Sequence, residues 1–388
     1  MTTWKKVLVM SVLGVALSSL AQVNLRPEVA KPLQSAQEAL QAKQPDVALQ
    51  KIQEARAMGQ LTEPERMMLE RLTVIAAMGA QKFDVASNSL DYLLSLKNLT
   101  DADRLTLTET AVSVRQRSKD YPGVVEWARK YVQQGGKNPR IRLALIQSLS
   151  IQGLHKDVVA EIPEIQKADA ESGRLPDEAE LRLYAFSQLQ VKDEAGYVKT
   201  LNQLVKRFPT KAYWEDLLNR LPRLSGFSTR NHLDVFRLLE ENASLTDAED
   251  FSEAAQIALK SGFPHEALRF LNKVPQPSSV SNLKKQVEKA IAEDDKVMQS
   301  VTLTSENANM LVQLGDVQAS RRQWTDAIAA YQKALSKGNL RREGEVRLHC
   351  GIALMKAGKM PEAIEMMASI KGDEMASLLG SLWVLKNK

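Results

Sequence analysis

The residues that could carry chemistry are few and scattered. The histidines His155, His232, His265 and His349 form no HExxH pattern and no cluster with cysteine, as a zinc site would need. The acidic runs at 247–250 and 293–295 lack the glycine and oxygen-ligand spacing of a calcium loop. The sequence therefore predicts no metal site and no cofactor.

One carboxylate invites comparison with acid–base catalysis, in the tripeptide Glu171-Ser172-Gly173. Peptidoglycan-cleaving lytic transglycosylases use a glutamate as general acid, held in a separate globular domain beside a helical solenoid. We expect this tripeptide in a loop between two helical repeats, and no such domain follows it. The sequence therefore predicts no catalytic residue and no enzyme.

The single cysteine, Cys350, rules out an internal disulfide. It directly precedes Gly351 on a helix face that is predicted to pack against a neighbour. We therefore expect a buried thiol in a structural role.

The elements that position these residues are clearest in 311–340. This stretch is predicted to form two helices with a break at 321–323, and a 3.6-residue period places Ala327 and Tyr331 on one stripe. Gly315 and Ala327 have almost no side chain, so the helices can approach closely while Tyr331 fills the space beside them. A lone hairpin cannot bury its apolar stripe, so further copies must stack against it.

A second copy follows at 343–370. Gly351 and Ala363 are twelve residues apart, as are Gly315 and Ala327, and Gly358 falls where the first helix must end. This spacing resembles the tetratricopeptide repeat (TPR). The resemblance implies a stack of helical hairpins.

Weaker copies extend the pattern over most of the chain. The predicted fold is all-α, a TPR-like α-solenoid of about nine helical hairpins, with a capping helix at 375–385. We divide the mature chain into an N-terminal solenoid at 22–274, a Pro/Ser-rich interruption with a charged helix at 275–302, and a C-terminal hairpin pair with its cap at 303–388. Capping boxes are predicted at Thr62 with Glu65 and at Thr246 with Glu249.

The first 21 residues have the pattern of a signal peptide. Lys5 and Lys6 precede an apolar run at 7–17, and small residues end at Ala21, the predicted cleavage site. The run is shorter than the roughly 20 residues that span a bilayer, and no later stretch is apolar enough to cross one. We therefore expect an exported, periplasmic protein.

The charge balance argues against polyanionic partners. The formal net charge is +5 and becomes +3 once Lys5 and Lys6 are removed with the signal peptide. Such a small excess gives no reason to expect nucleic acid or an anionic membrane as the partner.

Four longer stretches resemble a family of exported TPR proteins of Gram-negative bacteria, whose genes often lie beside those of the TonB–ExbB–ExbD system. They are VNLRPEVAKPLQSAQEAL (23–40), FPTKAYWEDLL (208–218), LKSGFPHEAL (259–268) and KGNLRREGEVRLHCGIALMKAGKMPEAI (337–364). The resemblance implies a protein partner in the cell envelope, with TonB-system components as candidates. It implies no catalytic residue.

The expected binding surface is the concave groove of the stack, which the first helix of each hairpin lines. With Gly315 counted as position eight, position nine points into this groove, and a further set of cations lies one turn along. The predicted partner-binding residues are Ser113, Gln147, Gln256 and Asp316, followed by Arg117, Lys260 and Lys356. This mixed polar surface suits a peptide or an extended protein segment.

The function expected from the sequence is a protein–protein interaction scaffold. One alternative is an accessory factor or enzyme of cell-wall (peptidoglycan) metabolism. A solute-binding protein is the other, but no alternation of strands and helices suggests its two α/β lobes.

Overall fold

The computed structural model describes residues 25–275, 277–298 and 302–387, so the predicted signal peptide lies outside the described residues. Within these ranges the chain has twenty α-helices, two short 3₁₀ turns and no strand, which confirms the predicted all-α class. No helix in the same ranges is both long and apolar enough to span a membrane. The chain divides into two compact units, Met1–Val191 (unit 1) and Lys192–Lys388 (unit 2).

The helices follow one another with short connections. Unit 1 contains α1 (Pro27–Gln41), α2 (Pro45–Arg56), α3 (Glu63–Gly79), α4 (Phe83–Ser95), α5 (Asp101–Ser118), α6 (Tyr121–Gln133), α7 (Pro139–Ile151), α8 (His155–Ser172) and α9 (Glu178–Gln190). Unit 2 contains α10 (Glu194–Arg207), α11 (Lys211–Arg220), α12 (Asn231–Glu241), α13 (Ala248–Lys260), α14 (Pro264–Leu271), α15 (Ser281–Met298), α16 (Ala308–Ser320), α17 (Trp324–Lys337), α18 (Glu343–Lys356), α19 (Met360–Ala368) and α20 (Glu374–Lys386).

Local sequence sets where several helices begin. The predicted capping box at α3 is confirmed, since Thr62 accepts from the Glu65 backbone N–H and the Glu65 carboxylate accepts from the Thr62 N–H. Arg26 Nε donates to the same buried carboxylate at 2.9 Å. This hydrogen bond from Arg26 is the main reason that the pKa of Glu65 falls to about 2.

The second predicted capping box, at Thr246 and Glu249, is wrong. Helix α13 begins at Ala248, and Asp247 precedes it. Glu249 is therefore the second helical residue, too early to reach back as a third-position glutamate does. The Thr246 hydroxyl instead donates to Asp247 Oδ1 at 3.3 Å.

Hairpin stacking appears in both units. Consecutive helices pack in pairs, such as α1 with α2, α5 with α6, α16 with α17 and α18 with α19. First helices of neighbouring pairs also contact each other: α5 contacts α7, α7 contacts α9, and α16 contacts α18. The last helix, α20, packs on α18 and α19, as the predicted capping helix does. The predicted TPR-like stack of helical hairpins is confirmed.

The small residues allow this close packing. A Cβ added to Gly315 would lie 2.6 Å from Cε1 of Tyr331, and one added to Gly351 would lie 2.7 Å from Cγ of Met367. Ala327 is fully buried on the same helix as Tyr331. The atoms nearest to Gly315, however, belong to Tyr331, one helical turn after Ala327. Gly358 has the positive φ of +78° that ends the helix before it.

Candidate functional site

Three first helices of unit 1 form a solvent-facing surface. Helix α7 touches α5 on one side and α9 on the other. We name the residues at four matching positions of these helices the α5–α7–α9 face: Glu109, Ser113, Gln116 and Arg117 on α5; Leu143, Gln147, Ser150 and Ile151 on α7; Arg182, Phe186, Leu189 and Gln190 on α9. All of them are exposed or half-buried. The first helices therefore present a continuous accessible face.

This face and the adjoining start of α8 carry exposed apolar side chains. Ile151, Leu154, Phe186 and Leu189 are 59%, 43%, 49% and 36% exposed. The His155 ring, directly after Leu154, meets Phe186 edge-on with ring centroids 5.2 Å apart, so the start of α8 and the middle of α9 form one patch. Contiguous apolar patches on soluble proteins mark interaction surfaces, whereas single exposed apolar residues are ordinary.

Two cations lie on the same face. Arg117 and Arg182 are exposed, and neither makes an ion pair or hydrogen bond within the residues that the structure describes. Glu109, on the same face, accepts a hydrogen bond from Asn138 at 2.7 Å. The face therefore carries exposed apolar side chains on α7 and α9 together with two unpaired arginines, one on α5 and one on α9.

Three predicted groove residues lie on this face, namely Ser113, Arg117 and Gln147. The Ser113 hydroxyl donates to the Glu109 carbonyl one turn earlier at 3.1 Å, so its hydroxyl proton is already engaged. The strongest features of the face, Phe186 and Leu189, were absent from the sequence-based prediction. Their signal was present, because counting Ala185 as position eight places Phe186 at position nine.

The other predicted groove residues belong to unit 2. Gln256 and Lys260 are exposed on α13. Asp316 accepts a hydrogen bond from the Tyr331 hydroxyl at 2.8 Å, and Lys356 pairs with Glu241 at 2.6 Å. Asp316 and Lys356 are thus engaged within the fold.

Helix α12 covers the surface of α18, a first helix of unit 2. Three ion pairs join α12 and the residue before it to α18, in the same order along both helices: Arg230 with Glu345 at 2.7 Å, Asp234 with His349 at 3.3 Å, and Glu241 with Lys356 at 2.6 Å. Ile352, at the position of Phe186 in the repeat, is only 7% exposed. The first-helix surface is thus open on α5, α7 and α9 of unit 1 and covered on α18 of unit 2, whereas Gln256 and Lys260 on α13 stay exposed.

The centre of this contact is a buried charge cluster. Arg237 donates to Asp234 at 2.8 Å and to Glu266 at 2.7 Å, and its guanidinium lies 4.6 Å from the ring centroid of Phe263. His349 lies between Asp234 and Asp316, at 3.3 Å from each. The sequence shows the histidines only as scattered residues. The fold brings His349 close to the carboxylates of Asp234 and Asp316.

Charge and burial oppose each other at His349. Burial by itself lowers the pKa of this imidazole. The charge of Asp234 and the hydrogen bonds to Asp234 and Asp316 outweigh burial and raise the pKa of His349 to about 10. The imidazole is therefore a fixed cation at neutral pH, which does not suit a proton-transfer or metal-ligand role.

A cavity of about 250 Å³ opens beside this cluster. Its walls come from α12, α14, α17, α18 and α20 and from the turn between α16 and α17. In the part of the chain that the structure covers, no three His, Cys, Asp or Glu side chains are arranged to hold a metal ion.

Glu171 and Ser172 form the last turn of α8, where Gly173 ends the helix, and Glu171 is exposed. The expectation that they lie in a loop is therefore wrong by one helical turn.

The buried Cys350 agrees with the expectation from sequence, being fully inaccessible. Burial raises the pKa of its thiol to about 12. A thiol in that state is a poor nucleophile and belongs to the packing of α18.

Solved structures of low sequence identity resemble this chain. No protein-family model matches the chain, and no curated protein matches its sequence. A solved structure of Naa15/Naa10 bound to HypK-THB is similar with a TM-score of 0.30 and 12% identity, covering 94% of this chain and 63% of that chain. This chain thus spans 63% of that neighbour's length. The TPR2AB domain of yeast Sti1 in complex with pHSP90 has a TM-score of 0.21 and 11% identity, covering 84% of this chain and 100% of that chain.

The fold class rests on the helical hairpins themselves. Paired helices, touching first helices and glycines at the close contacts define a TPR-like helical repeat protein.

Proposed function

We propose that this protein is an interaction scaffold that binds a segment of a protein partner on the α5–α7–α9 face. The observation that carries this proposal is the apolar patch around Phe186, which lies open on first helices of the repeat. A partner that covers this patch removes apolar surface from water, which stabilises the complex by about 25 cal/mol for each Å² buried. Arg117 and Arg182, which have no ion-pair partner among the described residues, favour one orientation of the bound partner through their charge.

We further propose that the scaffold is exported to the periplasm and serves a TonB-type envelope system. Two sequence features support this: the signal-peptide pattern at 1–21, and the four stretches that resemble exported TPR proteins found beside TonB–ExbB–ExbD genes. Fractionation of cells and N-terminal sequencing test the location, with Gln22 as the expected first residue. A cytoplasmic product that retains Met1 would refute it.

The binding face is tested by affinity capture from envelope extract. The tagged full-length protein is compared with Phe186→Ser and Ile151→Ser, and captured TonB, ExbB and ExbD are measured by immunoblot. We expect both variants to lose most of the captured protein. Leu175→Ser is the matched control, since Leu175 is 68% exposed in the α8–α9 loop but lies off the face.

Two results contradict the proposal. If Phe186→Ser and Ile151→Ser still capture the partner, the partner does not bind on this face. Capture of peptidoglycan with measurable cleavage favours the alternative of cell-wall metabolism.

A further inference from the structure

We propose that a groove between α10 and α20 of unit 2 binds an extended segment of a protein partner, with acidic residues at one end of the segment and apolar residues at the other. The groove shares no residue with the α5–α7–α9 face. It is therefore a second docking surface, and it does not depend on the proposed scaffold function.

Two cavities make up this groove. They have volumes of about 660 and 320 Å³, and Asn202 of α10 lines both. The larger cavity is lined by the first turns of α10 and α20, and the smaller one by later turns of the same two helices. The walls run from Ala195 to Lys206 and from Glu374 to Leu385, about 16 Å at about 1.5 Å per residue. This length holds about five residues of an extended chain at about 3.3 Å each.

The larger cavity collects cations that have no partner. Lys199, Arg341 and Lys371 line it, from α10, from the residues before α18 and from the α19–α20 loop. All three are exposed, and none forms an ion pair or a hydrogen bond through its side chain within the described ranges. A fourth cation in the wall, Arg342, pairs with Glu345 at 3.5 Å.

Most of the carboxylates in the same wall are already engaged. Glu343 pairs with Arg347 at 2.7 Å, and Asp373 accepts a hydrogen bond from the Ala376 backbone N–H at 2.9 Å. Glu374 is exposed and has no such partner among the described residues. Three unpaired cations therefore stand against one unpaired carboxylate, which favours acidic side chains at this end of the groove.

The smaller cavity is the apolar end of the groove. Ile364 is 36% exposed in its wall, and Val384 and Leu385 are half-buried there. Lys206 is the single charged residue that lines this cavity in the part of the chain that the structure describes. A partner gains here by covering Ile364 with an apolar side chain.

Polar groups in the middle of the groove favour an extended segment over a helix. The side chains of Asn202 and Ser377 line the smaller cavity and form no hydrogen bond among the described residues. An amide both donates and accepts, and so does a hydroxyl. An extended peptide brings backbone N–H and C=O groups that need such partners, whereas a helix satisfies most of its own.

The test uses short synthetic peptides and the full-length protein. The probes are acetyl-Asp-Glu-Asp-Leu-Phe-amide and the same five residues in reverse order, so that both chain directions are covered. The reference for each is the peptide with Asn and Gln in place of Asp and Glu. Isothermal titration calorimetry is expected to show saturable binding of an acidic peptide and at least about ten-fold weaker binding of its reference, because three carboxylates lose their cations. Binding of the acidic peptide should weaken as the salt concentration rises.

Three variants at accessible positions locate the site. Lys199→Gln and Lys371→Gln are each expected to weaken binding of the acidic peptide about two- to five-fold and to leave the reference peptide unchanged. Ile364→Ser is expected to weaken both peptides about three- to ten-fold. Lys333→Gln is the matched control, since Lys333 is an exposed lysine of unit 2 that lines neither cavity. Phe186→Ser, on the α5–α7–α9 face, should also leave the affinity unchanged.

Several results overturn the proposal. They are the absence of saturable binding, equal binding of acidic and reference peptides, and affinity that neither lysine variant alters. A loss of binding in Phe186→Ser would move the peptide to the α5–α7–α9 face. Sedimentation of the protein with phosphatidylglycerol vesicles, without binding of either acidic peptide, would favour an anionic membrane surface instead.

Discussion

Replacing Gly315 by alanine tests the close packing on which the hairpin stack depends. The new Cβ would lie 2.6 Å from Cε1 of Tyr331, well inside van der Waals contact. Tyr331 is fully buried and its hydroxyl donates to Asp316, so the ring cannot move aside without loosening that hydrogen bond. Overpacking costs about 1–3 kcal/mol, the hydrogen bond to a charged group about 1.5–3 kcal/mol, and the gain in helix propensity about 1 kcal/mol. We expect a net loss of about 1.5–5 kcal/mol.

Gly380→Ala is the matched control in the same unit. Gly380 is also inside a helix, but its added Cβ would lie at an ordinary 3.4 Å from Ile370 and Met367. Here the gain in helix propensity is expected to prevail, giving up to about 1 kcal/mol of added stability. Urea unfolding followed by far-UV circular dichroism and tryptophan fluorescence measures both variants. If Gly315→Ala proves as stable as Gly380→Ala, the close contact between α16 and α17 is refuted.

Three further predictions follow from the buried groups. His349→Gln removes the cation that lies between Asp234 and Asp316, so that Asp234 keeps only Arg237, and is expected to cost about 3–5 kcal/mol in urea unfolding, whereas His232→Gln on α12 serves as control. The pKa of His349 is raised to about 10, so its stabilisation is full below the unfolded value near 6.5 and disappears as the pH rises to 10; the wild type should weaken over this range and His349→Gln should weaken less. Cys350, with its thiol pKa raised to about 12 by burial, should react with Ellman's reagent only after unfolding, and rapid reaction of the native protein would contradict its placement. The pKa of Glu65 is lowered to about 2, so its stabilisation is present above pH 4.5 and fades as the pH falls towards 2; Glu65→Gln should flatten that acid limb, and an unchanged limb would argue against its ion pair with Arg26.

Much of the fold was predictable because it depends on the spacing of small and apolar residues that are close in sequence. The twelve-residue interval between Gly315 and Ala327 and between Gly351 and Ala363 fixed two hairpins, and the Thr62 capping box fixed the start of α3. The error at Thr246 has the same origin, since a shift of one residue in a helix start leaves the sequence pattern intact but breaks its geometry.

The candidate surfaces were less accessible from sequence. Position nine places Ser113, Gln147 and Phe186 on the same face, but it does not give the exposed fraction of a side chain, since Ile352 at the same position of α18 is only 7% exposed. Nor does local sequence reveal that α12 covers the surface of α18, because the ion pair of Arg230 with Glu345 joins residues 115 positions apart.

The sequence by itself determined the helices, their pairing and the buried state of Cys350, because these depend on side-chain volume and spacing within about 35 residues. The tertiary structure alone decided which first-helix surface stays open and which is covered. It also decided that His349 meets Asp234 and Asp316. Such outcomes depend on the path of the whole chain, which brings distant charges together where water is excluded.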